Sequence, residues 1–170
     1  LNAPLNDRLA VRLNATFESF NNHRDFVDGE RYAWNPYLAA QLGENWKVGL
    51  SYEYVHDDRV TDRGVPSIAT ITGQPNRPIE GNKEQFFGVP GINRTTLEAH
   101  IAKLRLDGQL SEHLNFTGSI LYGDYDKLYD NVFANGAATA QNGTVALDAY
   151  SDPTTRQNFI AQGNLIWETT

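Results

Sequence analysis

The sequence predicts an all-β fold, an antiparallel up-and-down meander of about six strands, because apolar residues recur at every second position in six separate segments. The connections between these segments differ greatly in length. Those at 43–45 and 111–113 are short turns, whereas those at 19–30, 57–95 and 125–157 are long and polar. Strands that cross a bilayer have roughly 9 to 11 tilted residues, and bacterial membrane barrels have short turns at one end and long loops at the other. The sequence therefore predicts transmembrane strands, with the long loops facing outside.

The first three predicted strands each have one apolar face. In the first strand it consists of Leu9, Val11, Leu13, Ala15 and Phe17. In the second it consists of Tyr32, Trp34, Leu38, Ala40 and Leu42, and in the third of Trp46, Val48, Leu50, Tyr52 and Tyr54. Pro36 removes one ladder hydrogen bond from the second strand, which predicts a bulge or another irregularity. The short turn between the second and third strands predicts a hairpin.

The last three predicted strands alternate less regularly. The apolar face of the fourth consists of Ala102, Leu104, Leu106, Gly108 and Leu110. Upstream, Leu97, Ala99 and Ile101 have the opposite phase, so we expect this part to be bulged or clear of lipid. The fifth strand presents Leu114, Phe116, Ile120 and Tyr122, and the sixth presents Phe159, Ala161, Leu165 and Trp167. Ile160 and Ile166 interrupt the polar face of the sixth strand.

Aromatic residues lie near both ends of the predicted apolar face. Near the short turns are Trp46, Phe116 and Trp167, and near the long loops are Phe17, Tyr32, Trp34, Tyr52, Tyr54, Tyr122 and Phe159. Two aromatic girdles around an aliphatic band are typical of a membrane barrel, because amphipathic rings favour the headgroup level. Alternation alone is equally compatible with a soluble β-sandwich or small barrel, but such a protein would more naturally bury its aromatic residues centrally.

The opposite face of the predicted strands is charged. It carries Arg12, Glu18, Arg31, Lys47, Glu53, Lys103, Arg105 and Asp107. Mixed charges suit water or a polar plug better than a packed apolar core. Because six strands cannot enclose a channel, we expect residues 1–170 to be an internal part of a larger barrel.

Composition and motifs exclude several other classes of protein. The net charge is −7, without a basic stripe that could neutralise phosphates, so we expect no nucleic-acid partner. No apolar run approaches the length of a membrane-spanning helix. The chain has no Cys, and its four His lack zinc-ligand spacing. His23-Arg24-Asp25 has no accompanying catalytic motif, so we expect neither enzymatic activity nor a cofactor.

Several loop motifs resemble those of one known family. They are Tyr52-Glu53-Tyr54 followed by Asp57-Asp58-Arg59, the loop Asp62-Arg63-Gly64-Val65-Pro66, the later Phe86-Phe87-Gly88, and the strand end Leu121-Tyr122-Gly123-Asp124-Tyr125-Asp126. In order and spacing they resemble the TonB-dependent siderophore receptors of Gram-negative outer membranes. The Asp62–Pro66 loop followed by Phe86–Gly88 is most similar to the catecholate-type branch.

This resemblance implies a barrel of about 22 strands, filled by a plug domain. Its function would be uptake of a ferric siderophore across the outer membrane, with energy passed from the inner membrane through TonB. On this interpretation residues 1–170 are a partial barrel domain, and the plug, the TonB-contacting segment and the remaining strands lie outside them. Ligand-facing parts would be the loops at 57–95 and 125–157.

A ferric catecholate is anionic and aromatic, so basic and aromatic side chains at the loops are the candidate contacts. We expect them to be Tyr54, Arg59, Arg63, Arg77, Arg94 and Tyr125. Each could instead be a solvated loop residue, and Arg63 and Gly64 could shape the loop. We expect no protein-bound metal, because Asp124, Asp126 and Asp130 lack the Gly and terminal Glu of a calcium loop.

Two rival functions remain open from the sequence. A passive porin would use a charged, constricting loop and would conduct ions, which the Asp62–Pro66 and Phe86–Gly88 motifs disfavour. A soluble β-domain that binds carbohydrate or has a structural role would fold in water without detergent, whereas a partial barrel would expose edges and an apolar face.

Overall fold

The computed structural model describes residues 1–69, 75–81, 83–139 and 143–168. Its strands are β1 (Asn2–Asn6), β2 (Leu9–Asn21), β3 (Asp28–Leu42), β4 (Trp46–Arg59), β5 (Ser67–Ile68), β6 (Arg77–Pro78), β7 (Arg94–Ser111), β8 (Leu114–Ala134), β9 (Ala137–Ala138), β10 (Leu147–Ser151) and β11 (Thr154–Trp167). Among these residues no helix has the length and apolarity needed to cross a membrane.

One antiparallel sheet contains all six predicted strands. Its order is β1-β2-β3-β4-β7-β8-β10, and β11 also pairs with β8. The predicted antiparallel meander is therefore confirmed, with β2, β3, β4, β7, β8 and β11 as its members. Three short strands form a second sheet in the order β6-β5-β9.

Strands at the long-loop end extend further than the sequence predicted. The connection predicted at 19–30 is only 22–27, and the one predicted at 57–95 is 60–93. The long loop predicted at 125–157 is wrong, because β8 continues to Ala134, and β10 and β11 lie beside it. Beyond Tyr122 both faces of β8 mix charged, apolar and aromatic residues, so the apolar–polar alternation from which strands were predicted is lost.

Two prolines interrupt pairing without changing its register. The pairs Trp34↔Tyr54 and Tyr37↔Ser51 belong to the same register of β3 and β4, so Pro36 lies opposite Tyr52. Asn35 Nδ2 donates to the Tyr52 carbonyl at 3.0 Å, which supplies a donor beside the residue that has none. The predicted irregularity at Pro36 is thus a local gap and not a bulge. Pro153 similarly separates β10 from β11, which pair with β8 in one register.

The predicted bulge in the upper part of β7 is also absent. From Arg94 to Gln109, β7 keeps one register with β8, and the only shift comes between Gln109 and Ser111. Leu97, Ala99 and Ile101 consequently lie on the same face as Lys103, Arg105 and Asp107. The sequence alternative that this segment is clear of lipid fits this arrangement.

The register gathers the apolar sets of all six strands on one side of the sheet. Successive pairs link Phe17 to Tyr32, Trp34 to Tyr54, and Ala102 to both Tyr52 and Tyr122, and Tyr122 pairs with Phe159. We call this side the apolar face and the opposite side the polar face. Large side chains of the apolar face are exposed, among them Leu13, Phe17, Trp34, Leu50, Leu104, Ile120, Phe159, Leu165 and Trp167.

An exposed apolar face of this extent is incompatible with a soluble β-sandwich. In the described part of the chain the buried hydrophobic residues are Val27, Phe86, Ala99 and Ala138, and none of them belongs to the apolar face. Among the described residues no second layer covers that face, as is expected of strands that cross a membrane.

Ring positions fit two girdles on the apolar face. The ring centroids of Trp46 and Phe116 lie 6.3 Å apart near the short turns. Those of Trp34 and Tyr52 lie 5.2 Å apart near the long loops. The Trp46 ring lies over Gly108, where any Cβ atom would overlap it. A glycine at this position lets the indole lie flat against the neighbouring strand.

We expect Gly108→Ala to destabilise the complete folded protein by about 1 to 3 kcal/mol, because the added methyl group must displace the Trp46 ring. The matched control is Gly163→Ala, since a Cβ there meets Phe116 at an ordinary 3.8 Å. Urea unfolding in detergent, followed by tryptophan fluorescence, measures both. Equal stability of the two variants would contradict the close packing of Trp46 on Gly108.

Candidate functional site

Three aromatic rings meet on the polar face at the long-loop end of β8. Tyr129, Asn131 and Phe133 lie in succession on one face of β8. Tyr150 of β10 pairs with Asn131 and therefore lies beside both rings. Tyr129 and Tyr150 stack with centroids 5.7 Å apart, and Phe133 meets the edge of Tyr150 at 5.8 Å. The strand register thus places three rings side by side.

Cationic side chains surround these rings. The Arg63 guanidinium carbon lies 4.4 Å from the centroid of Phe133, and Lys127 Nζ lies 5.8 Å from that of Tyr129. Arg59 belongs to the same row of the sheet as Tyr129, because both pair with Thr95 from opposite sides. We call the set Tyr129, Phe133, Tyr150, Arg59 and Arg63 the aromatic–arginine site.

Tyr129 is a hydrogen-bond donor at neutral pH. It lies seven residues beyond Tyr122 of the outer girdle, roughly 23 Å along the strand, and therefore outside the membrane-spanning part. Burial and the neighbouring Tyr150 hydroxyl raise the pKa of Tyr129, against the opposing effect of Arg63 and Arg59. The phenol stays protonated and can donate to an anion.

A buried carboxylate partly balances the positive charge of Arg59. Asp57 accepts from Arg31 Nε at 2.6 Å and lies 3.5 Å from Arg59 Nε. Arg31 is also 3.7 Å from Glu18. Asp57 thus has two cationic neighbours, while the side chain of Arg59 stays 45% exposed. The guanidinium of Arg59 can therefore still meet a ligand.

Asn93 bonds the 60–93 loop to β8 beside the site. Its Nδ2 donates to the carbonyls of Thr61 and Val132 at 3.0 and 2.9 Å and to Asn131 Oδ1 at 3.1 Å. Its Oδ1 accepts from the amides of Val89 and Val132 at 3.0 and 3.1 Å. Asn93 is only 3% exposed, so these bonds are shielded from water. The side chain of Asn93, at the end of the loop, is thus bonded both to the start of the loop at Thr61 and to β8.

A turn at Asp62–Gly64 presents Arg63 to the rings. Asp62 Oδ1 accepts from the Gly64 amide at 2.9 Å, and Gly64 has a φ of +84°, which glycine adopts freely. Asp62 Oδ2 also pairs with Arg24 Nε at 2.8 Å, where both side chains are largely buried. The sequence alternative that Gly64 shapes the loop fits this geometry, whereas Arg63 faces Phe133.

Of the six predicted ligand contacts, the structure brings Arg59 and Arg63 together around Tyr129. Tyr125 shares the polar face, with its ring packed over Gly123. Arg77 lies in β6 opposite Ile68 and is exposed. Tyr54 lies on the apolar face and donates to Glu98 at 3.3 Å, and Arg94 is engaged by Asp58 through two hydrogen bonds. Ligand contact by any of the six stays a prediction.

Sequence reasoning missed Tyr129, Phe133 and Tyr150, because it assigned 125–157 to a loop. A usable signal was present at the odd positions of β8, where Tyr125, Tyr129 and Phe133 recur with even spacing on one face of a strand. The pairing that adds Tyr150 is not visible in the sequence, since it depends on the connection between β8 and β10.

Comparison with known proteins gives a consistent result. No family model matches the chain. The metal-pseudopaline receptor of Pseudomonas aeruginosa is 28% identical over 158 residues, which cover 89% of this chain and 20% of the receptor. The chain thus spans about a fifth of the length of that curated relative.

Comparison with solved structures identifies the fold of this chain. The siderophore receptor PiuA of Acinetobacter baumannii matches with a TM-score of 0.81 and 20% identity, covering 99% of this chain and 25% of that one. Residues 1–170 have the fold of part of the barrel wall of this structure. The ferric-catecholate import receptor Fiu of E. coli K12, in its open form, matches with a TM-score of 0.79 and 20% identity over 96% of this chain and 27% of that one. The fold that the sequence predicted, an antiparallel part of a larger β-barrel, is thereby confirmed.

Asn93→Ala should loosen the 60–93 loop, because the buried amides of Val89 and Val132 lose their acceptor. An unsatisfied buried group costs about 1 to 3 kcal/mol. We expect hydrogen exchange at these two amides in the complete protein to accelerate about tenfold or more, in proportion to that free energy. Asn45→Ala, at an exposed position in a short turn, is the control. Unchanged exchange in Asn93→Ala would show that the loop is held by other contacts.

Proposed function

We propose that residues 1–170 are part of the barrel wall of a TonB-dependent receptor that imports a ferric siderophore across the outer membrane of a Gram-negative bacterium. The observation that carries this proposal is the aromatic–arginine site on the polar face. It lies beyond the outer girdle, at the end where strands connect through long loops. A ligand arriving from outside would meet these residues first.

The chemistry of the site favours an anionic, aromatic metal complex. Arg59 and Arg63 supply charge that is always present, and the rings of Tyr129, Phe133 and Tyr150 supply flat apolar area. Ferric catecholates combine both properties, and the structurally similar Fiu is a ferric-catecholate import receptor. The iron is cargo here, held by the siderophore and not by the protein.

Transport would require parts of the protein beyond this wall. We propose that a plug domain fills the complete barrel and contacts TonB, and that ligand passage depends on plug rearrangement without covalent chemistry. The charged residues of the polar face, such as Arg105 paired with Asp107 at 2.7 Å, suit contact with water or such a plug. The apolar face would contact the lipid bilayer.

A second candidate ligand is a metal chelate without catechol groups. The sequence similarity to the metal-pseudopaline receptor, which extends over most of this chain, favours this candidate. Such a ligand would depend on Arg59 and Arg63 but less on the three rings. Passive diffusion through a porin-like channel remains the alternative mechanism, and it would give ion conductance without saturable binding.

The test is titration of the complete protein in detergent with a ferric catecholate and a ferric hydroxamate, following the quenching of tryptophan fluorescence. We expect saturable quenching by the catecholate alone. Arg63→Gln and Tyr150→Ala should each weaken this binding about tenfold, because each removes an interaction on the order of 1 to 2 kcal/mol. Arg8→Gln, which removes one charge at an exposed position at the opposite end of the sheet, should bind as the unsubstituted protein does.

Three outcomes would count against the proposal. Saturation by neither complex would overturn the assigned ligand class. Equal effects of Arg63→Gln and Arg8→Gln would place binding elsewhere on the protein. Loss of affinity in Arg63→Gln but not in Tyr150→Ala would favour the non-aromatic chelate.

A further inference from the structure

Phe26 has the most unusual backbone conformation in the described part of the chain. Its φ is +63°, and no other described residue except glycine has a positive φ. It belongs to a tight turn in the β2–β3 connection, where the Val27 amide donates to the Arg24 carbonyl at 3.3 Å. Phe26 is the third residue of this turn, a position at which a positive φ favours Gly or Asn. A phenylalanine there is strained.

The residues around Phe26 hold the turn firmly. Arg24 pairs with Asp62 at 2.8 Å, and the Asp25 amide donates to the Glu84 carbonyl at 2.7 Å. Val27 is buried, and its carbonyl accepts from the Asn22 amide at 2.9 Å. Neighbouring contacts therefore impose the strained conformation on Phe26, as is required for strain to persist.

The Phe26 side chain gains little from folding. It remains 64% exposed, so its ring removes only a small part of its apolar surface from water. If the turn were its only role, Gly or Asn would fit the backbone better and would expose no ring. Strain and exposure together indicate that the ring serves a contact with a group outside residues 1–170.

The position of the turn indicates which contact this is. Arg24 binds Asp62, the residue immediately before Arg63 of the aromatic–arginine site. The turn also bonds to the 60–93 loop through Glu84. At the start of β3, Gly29 pairs with Arg59, the second arginine of the site. Phe26 therefore lies on the connection that borders both arginines at the long-loop end.

We propose that Phe26 is a ligand contact at the entrance to the aromatic–arginine site, where its ring stacks on a planar aromatic group of the bound anionic metal complex. This inference rests on the proposed function and adds a residue to the same site. The strained turn holds the backbone of Phe26 in one conformation before the ligand arrives, so less loop freedom is lost on binding.

The test compares three variants of the complete protein by ferric-catecholate titration in detergent. Phe26→Gly removes the ring and suits the backbone, and we expect it to weaken binding about tenfold. Phe26→Tyr keeps a ring and should bind within about twofold of the unsubstituted protein. The control is Ile92→Ala, because Ile92 is 52% exposed in the 60–93 loop but has no ring. We expect the affinity of this variant for the ferric catecholate to be unchanged.

Hydrogen exchange separates a ligand contact from a structural role. In Phe26→Gly we expect the amides of Asn22, Asp25 and Val27 to stay as protected as before or to become more protected. Phe26→Asn, which also tolerates a positive φ, provides a second variant with the same expectation.

Two results would overturn the inference while leaving the proposed function intact. One is unchanged affinity in Phe26→Gly, and the other is loss of amide protection in both Phe26→Gly and Phe26→Asn, which would make the ring a packing element. Absence of catecholate binding by the unsubstituted protein would instead overturn the proposed function together with this inference.

Discussion

Continuous hydrogen bonding in a single register is the constraint on which the rest of the structure depends. A one-residue slip in a strand would move its whole apolar set to the other face. From Thr95 to Gly108, β7 keeps one register with both neighbours, and β3 keeps its register past Pro36. Even there, Asn35 supplies a donor to the carbonyl opposite the proline. Two chemically distinct faces result, one suited to lipid and one to water.

The same register builds the site. β8 continues well beyond the outer girdle, and its side chains still alternate between the two faces there. Tyr129 and Phe133, at odd positions, therefore lie on the polar face. β10 adds Tyr150 by pairing along this extension. The loops are then fixed to the extended strands, by Asn93 within the 60–93 loop and by the parallel pair β5–β9 between two connections. These contacts hold the loop residues of the site against the extended strands.

Period-two alternation predicted the six main strands and the composition of both faces, because lipid imposes a strict pattern on each strand it contacts. In β8 the alternation ends at Tyr122. The extension of β8 was therefore missed, and Tyr125 was assigned to a loop. Arg59 and Arg63 were predicted from charge alone, whereas the rings beside them depend on pairing between distant segments. The conformation of Phe26 left no signal, since neighbouring contacts impose it on a residue type that does not favour it.

The most direct test of the account uses two adjacent residues of β8 and the absence of native Cys from these 170 residues. Ser119→Cys lies on the polar face and Ile120→Cys on the apolar face, and each would be labelled with a small fluorophore in the complete protein in bilayers. We expect a lipid-confined nitroxide to quench the label at position 120 and an aqueous quencher to quench the label at position 119. Aqueous quenching at both positions would contradict a membrane-spanning wall.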